Sequence, residues 1–137
     1  MKLRAVFTIN FPIAVFFGLS CALLPGLVLQ IYGLPPEDGA IWVTRLVGGS
    51  IFGLSTLMWF GRKTPSAEAR RAIALALFLQ DIVGLAASLE IQFSGSVNAL
   101  GWSNPVLYGA LAAAYAYFLF IQRMDIQPEM SPSSKEV

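Results

Sequence analysis

Three ionisable side chains stand inside long apolar stretches of the chain, where a charge is costly: Arg45, Asp81 and Glu90. Ionisable residues in an apolar helix usually face other helices or water, and many mark a proton or substrate pathway. Asp81 is therefore a candidate for proton or substrate handling. Arg45 and Glu90 are candidates for a site that takes a polar or anionic ligand.

Four apolar segments must position these side chains, and each is long enough to cross a bilayer. The composition agrees, because 56% of residues are hydrophobic and 12% are charged, whereas a soluble domain carries about 25% charged residues. The first segment is too long for a signal peptide and is predicted to be an uncleaved span. We predict an all-α fold, an integral membrane four-helix antiparallel bundle with helices at about 6–31, 40–60, 65–92 and 105–123, and a flexible tail at 124–137.

Local signals predict where the helices begin and bend. Asp38 is a predicted N-cap of the second helix. Thr64 followed by Pro65 predicts the start of the third helix, with Thr as N-cap and Pro at the first helical position, and residues 104–105 repeat the pattern as Asn-Pro. Pro25 and Pro12 are candidate kinks in the first helix.

The distribution of basic residues predicts the orientation, because Lys and Arg collect on the cytoplasmic side of short loops. With both termini inside, only Arg45 falls on the outer half. The other eight of the nine basic residues are then cytoplasmic: Lys2, Arg4, Arg62, Lys63, Arg70, Arg71, Arg123 and Lys135. The prediction is an N-in/C-in protein whose immediate partner is the lipid bilayer.

Asp81 is predicted to lie near the middle of the bilayer. It follows Arg71 by ten residues, or about 15 Å of helix, in a hydrocarbon core about 30 Å thick. Burial there favours the neutral acid, which could hydrogen-bond a neighbour such as Asn10. That structural interpretation and a functional one both stay open. Helical spacing predicts that one stripe of the third helix faces inward: Leu77, Asp81, Gly84, Ser88 and Gln92.

Arg45 and Glu90 are predicted to share one depth near the outer boundary. Glu90 lies about 28 Å along the helix from Arg71, and Arg45 lies about 25 Å from Arg62. Three interpretations remain open: an interhelical ion pair that only clasps two helices, a site for a polar or anionic ligand, or no contact between the two side chains.

Small residues predict where helices pack closely. The second helix carries Gly48, Gly49 and Gly53, and the fourth carries Gly109 and Ala113. These faces predict packing within the bundle. The alternative is a homo-oligomer or a larger membrane complex.

Several function classes find no support in the composition. Histidine is absent and Cys21 is the single cysteine, so the sequence offers no metal cluster and no nucleophile–base constellation. The net charge of +1 gives no basic face for a nucleic acid. We predict no enzyme activity, no metal, no cofactor and no nucleic-acid partner.

One stretch resembles a known family. Residues 44–53, Thr-Arg-Leu-Val-Gly-Gly-Ser-Ile-Phe-Gly, followed by Gly-Arg-Lys at 61–63, resemble DoxX-type proteins and related small bacterial four-helix membrane families, which have an arginine near the start of a helix and then glycines. The resemblance covers about one helix of four. It implies a location in the cell inner (plasma) membrane, and these families have no assigned activity.

Two functions follow as hypotheses. The first is a non-catalytic accessory or assembly protein, held in a complex by its small-residue faces. The alternative is a small transporter or ligand-binding membrane protein that uses Asp81 and an Arg45–Glu90 pair.

Overall fold

Every regular element that the structure describes is helical. The computed structural model describes residues 3–121, so the predicted tail at 124–137 lies outside the described residues. The elements are α1 (Leu3–Leu23), α2 (Pro25–Ile31), α3 (Asp38–Lys63), α4 (Ala67–Phe93), a 3₁₀ turn (Ala99–Trp102), α5 (Ser103–Ala116) and a final π-helical turn (Tyr117–Ile121).

Within residues 3–121, four stretches are long and apolar enough to cross a membrane: Leu3–Leu23, Asp38–Lys63, Ala67–Phe93 and Ala99–Ile121. The first predicted helix is interrupted, because Leu24 leaves helical geometry and Pro25 starts α2. Proline lacks the N–H that would continue the hydrogen-bond ladder, and its ring clashes with the preceding turn. Pro12 lies inside α1 without ending it.

The predicted start of α4 is wrong by two residues. Thr64 closes α3 instead, since its N–H donates to the Phe60 carbonyl at 2.9 Å. Ser66 is the N-cap of α4, and its hydroxyl accepts from the Ala69 N–H at 3.1 Å. Ser66 thus provides the side-chain acceptor for a free N–H of the first helical turn, which is the role predicted for Thr64.

The other two predicted caps are also wrong. Asp38 is the first residue of α3, and Glu37 precedes it without a side-chain cap. Asn104 lies inside α5, which begins at Ser103. Its side-chain oxygen accepts from the Tyr32 hydroxyl at 3.2 Å, so it joins two distant parts of the chain rather than capping a helix.

The helices pack as two close pairs, α1 with α3 and α4 with α5. Gly18 and Gly48 let the backbones of α1 and α3 touch. A Cβ on Gly18 would lie 2.8 Å from the Phe52 nitrogen, and one on Gly48 would lie 2.7 Å from the Gly18 carbonyl oxygen. Neither helix could approach this closely with a larger residue at these two positions.

The core joins the two pairs. Phe7 of α1 and Tyr115 of α5 are both 0% exposed, and their ring centroids lie 6.1 Å apart. Residues from all four long stretches complete this core: Val6, Ala14, Ile51, Met58, Ala74, Leu77 and Leu119. The core therefore fixes how the second pair of helices sits against the first.

The small residues predicted for packing divide into two groups. Gly48 is buried against α1, and Gly109 lies 3.8 Å, measured from an added Cβ, from the Leu85 side chain. Gly49 and Gly53 have open space around them, and Ala113 is exposed. The Gly49–Gly53 spacing therefore takes no part in packing within the described chain.

Candidate functional site

A cavity lies between the four long helical stretches. Its volume is about 40 Å³, and a cavity needs about 10–15 Å³ by this kind of measure to hold one water. Its walls are mostly apolar, with Phe17, Met58 and Leu111 among them, and its polar lining comes from three of the four stretches: Asn10, Gln80, Asp81, Asn104 and Tyr108. The space suits about three water-sized groups.

Asp81 reaches this cavity because of its place on α4. The helix buries Ala74, Leu77, Asp81 and Ser88, which confirms the inward stripe predicted from helical spacing. Asp81 itself is 5% exposed and lies near the middle of the 27-residue helix. The helix presents its carboxyl group to the centre of the bundle rather than to the surroundings.

Gly84 makes room for another cavity residue one turn after Asp81. A Cβ on Gly84 would lie 2.7–2.9 Å from ring atoms of Tyr108. The Tyr108 ring therefore rests directly on the α4 backbone, and it lines the same cavity as Asp81. The i to i+3 spacing places the glycine on the same face as the carboxyl group.

Two buried oxygens beside this cavity receive no hydrogen bond from the described residues. They are Asp81 Oδ2 and Gln80 Oε1, and both residues line the cavity. A buried acceptor without a donor costs about 1–3 kcal/mol, and most buried polar groups avoid that cost. A ligand that donates a hydrogen bond to either oxygen removes that cost.

The neighbour predicted for Asp81 makes a different bond. Asn10, 4% exposed, donates through Nδ2 to the Tyr115 hydroxyl at 3.0 Å. Tyr115 belongs to α5, so this bond ties α1 to α5 through the core. Among residues 3–121 the Asp81 carboxyl is therefore not held by Asn10, and the structural interpretation that used this bond is wrong in that respect.

Hydrogen bonds join the loops at one end of the bundle. We call this end, which carries residues 32–37 and 94–98, the Asn98 end. Asn98 donates from Nδ2 to the Ile31 carbonyl at 2.7 Å and from its backbone N–H to the Tyr32 carbonyl at 3.0 Å. Gly33, at φ 80°, is in the left-handed region and packs beside the Asn98 side chain. Tyr32 then reaches Asn104, a cavity residue.

The opposite end carries the basic residues. We call it the Arg62 end. The Arg62 guanidinium lies 3.6 Å from the centre of the Trp59 ring, and the Lys63 nitrogen lies 4.5 Å from it. Phe11 of α1 packs on Trp59 with ring centroids 5.0 Å apart. Arg70 donates to the Thr64 carbonyl at 2.7 Å. These contacts hold the α1–α3 pair and the turn into α4 at this end.

Arg45 and Glu90 lie away from the cavity. Neither lines it, and both side chains are exposed. The described residues form no ion pair between them. The interhelical clasp predicted from their equal depth is therefore not present, and their role as ligand-site candidates stays a prediction.

Four residues of the site were not predicted from the sequence to line a cavity. Gln80 and Asn10 are polar residues in apolar helices, and that contrast is a signal for a polar cavity. Tyr108 carries no such signal, since tyrosine is common in helices and its position depends on Gly84 of another helix. Asn104 precedes a proline, so its sequence context predicts a helix cap and not a cavity residue.

Comparison of the chain with protein-family models, with curated proteins and with solved structures finds no match. The resemblance of residues 44–53 to DoxX-type proteins therefore stays a prediction.

Proposed function

We propose that this chain is a small integral membrane protein that binds a small hydrogen-bond-donating ligand in the cavity around Asp81. Binding is the step that a small transporter and a ligand-binding membrane protein share. One observation carries the proposal: Asp81 Oδ2 and Gln80 Oε1 are buried acceptors that receive no hydrogen bond from residues 3–121, and both residues line a cavity built from four helices.

The size and polarity of the cavity support a small ligand. Its volume of about 40 Å³ is well below the ~150 Å³ of an engineered apolar cavity that takes up benzene. The polar groups are few and the rest of the wall is apolar, which is the usual composition of a ligand site. A molecule of two to four heavy atoms with N–H or O–H donors fits both conditions.

Titration calorimetry with small donors tests this proposal. The purified protein in detergent micelles is titrated with formamide, urea, methanol and methylammonium, each at constant pH. At least one compound is expected to bind the wild type and to lose its binding in Asp81→Asn, because the substitution replaces an acceptor oxygen with a donor amide.

Glu90→Gln is the matched control, since it neutralises an exposed carboxylate on the same helix. It is expected to bind like the wild type. The proposal fails if no compound in the series binds, or if binding is the same in Asp81→Asn as in the wild type.

We also propose that the four long stretches span the cell inner membrane with both termini inside. Five described basic residues support this orientation, because they all lie at the Arg62 end: Arg4, Arg62, Lys63, Arg70 and Arg71. The stacking of Arg62 and Lys63 on Trp59 also suits a headgroup region, where aromatic and basic side chains collect.

Single cysteines test the orientation. Cys21 is the only cysteine and is buried, so a Cys21→Ser background can carry either Ser96→Cys at the Asn98 end or Ser66→Cys at the Arg62 end. In intact cells a membrane-impermeant thiol reagent is expected to label the first variant and to leave the second unlabelled until the cells are opened. Labelling of Ser66→Cys alone in intact cells contradicts the orientation.

A second candidate function is the accessory or assembly protein. The observation that favours it is the outward face of α3, where Arg45, Gly49 and Gly53 follow each other at four-residue intervals and are all exposed. Gly49 and Gly53 leave room for a close helix neighbour. Native mass spectrometry of the protein extracted in mild detergent distinguishes the candidates, since an assembly protein is expected to carry a second chain.

A further inference from the structure

We propose that the ligand of the Asp81 cavity is a small ammonium ion, with ammonium and methylammonium as the sizes that fit. This inference rests on the proposed function and names the ligand class of the same site. It depends on four features of the cavity: its charge, its acceptors, its wall and its volume.

The charge of the cavity points to a cation. Among the described residues that line the cavity, Asp81 is the only acidic one and none is Lys or Arg. The described residues therefore supply no positive partner for an ionised Asp81. Burial favours the neutral acid while the cavity is empty, and a cationic ligand brings the charged partner and the hydrogen bonds that an ionised Asp81 needs.

The acceptors point to an ammonium ion rather than to a metal ion. An ammonium group donates up to three or four hydrogen bonds, and Asp81 Oδ2 and Gln80 Oε1 are two acceptors that no described residue satisfies. Hard metal cations need about six oxygen ligands around them. The described residues contain no group of three or more His, Cys, Asp or Glu side chains that could hold a metal ion.

The wall suits the remaining surface of such an ion. Phe17 and Tyr108 both line the cavity, and aromatic rings attract cations through their faces. Met58 and Leu111 supply apolar surface beside them. A methyl group on the nitrogen can rest on this surface while the N–H groups bind the two acceptors.

The volume indicates the size of ligand that fits inside the cavity. About 40 Å³ is room for about three water-sized groups, at about 10–15 Å³ for each. Methylammonium has two heavy atoms and fits. Tetramethylammonium has five heavy atoms and no N–H, so it fails on size and on hydrogen bonding.

Binding of radiolabelled methylammonium to the purified full-length protein tests the inference. Saturable binding is expected for the wild type and for Glu90→Gln. Asp81→Asn is expected to weaken it about tenfold or more, the factor that a charge-assisted hydrogen bond contributes. Gln80→Leu removes the second acceptor and is expected to weaken binding several-fold. Unlabelled ammonium is expected to displace the label, whereas sodium and tetramethylammonium are not.

Any one of three results overturns the inference. The first is the absence of saturable binding to folded wild-type protein, and the second is equal displacement of the label by sodium. The third is unchanged binding in both Asp81→Asn and Gln80→Leu. The failure of this inference can be told from the failure of the proposed function. If formamide, urea or methanol binds in an Asp81-dependent way and methylammonium does not, only the ligand class is wrong; if none of the four binds, both proposals fail.

Discussion

The Asp81→Leu variant is expected to be more stable than the ligand-free wild type, by about 1–3 kcal/mol in the free energy of unfolding. Asp81 Oδ2 is buried without a donor in the described chain, and such a group costs about that much. A leucine at this position removes the acceptor and extends apolar surface into a cavity of about 40 Å³. Equilibrium unfolding in mixed detergent micelles measures the difference.

The sign of this change separates two roles for Asp81. A carboxyl group held for structure loses bonds when it is replaced, and its removal destabilises the fold. A carboxyl group kept for binding often costs stability, which its removal restores. Glu90→Gln is expected to stay within about 0.5 kcal/mol of the wild type, because it is an exposed substitution. A loss of more than about 1 kcal/mol in Asp81→Leu would show that the described contacts miss a structural partner.

Gly48→Ala is expected to destabilise the protein by about 1–3 kcal/mol or more, the usual cost of overpacking. Its new Cβ would meet the backbone of α1 at Gly18, Cys21 and Ala22. Backbone atoms cannot move aside as a flexible side chain can, so α1 and α3 must separate. The same unfolding measurement in micelles gives the value.

Gly49→Ala is the matched substitution at the next residue. An added Cβ there meets no heavy atom within 4 Å, and alanine favours a helix by about 1 kcal/mol over glycine. We expect Gly49→Ala to equal or exceed the wild type in stability when the protein is monomeric. If both variants lose stability equally, the assignment of Gly48 rather than Gly49 to the α1–α3 contact is wrong.

The sequence predicted the general architecture because that depends on strong, local signals. Long apolar segments and their polar connections predict four helices apolar enough to span a membrane, and the structure has four such stretches. The spacing of polar and small residues on α4 likewise predicts which face turns inward. Both inferences need only the residues of one helix.

What the sequence could not supply depends on pairs of distant residues. Gly48 packs on α1 and Gly49 does not, although the Gly49–Gly53 spacing is the more familiar packing pattern. Which glycine faces a neighbouring helix depends on the rotation of α3 about its axis, and tertiary packing sets that rotation. Asn10 bonds Tyr115 across 105 residues. No local pattern predicts such a pairing.

The ion-pair interpretation of Arg45 and Glu90 shows the same limit. The rise of a helix gives the two residues the same depth, but it does not say in which direction each side chain points around its helix axis. Their exposed side chains show that rotation about each helix axis carries them outward. The candidate site is consequently Asp81 with the polar residues that line the same cavity, and of these only Asp81 was predicted to be a site residue.

The infrared difference spectrum of the Asp81 carboxyl group tests the central claim most directly. Its C=O stretching band is assigned as the band missing from Asp81→Asn, and spectra are recorded without ligand and with methylammonium or formamide at saturating concentration. If a small donor binds at Asp81, the band is expected to shift or disappear in the wild type and in Glu90→Gln. A band that stays unchanged through the whole series of small donors would contradict the claim that this cavity is a binding site.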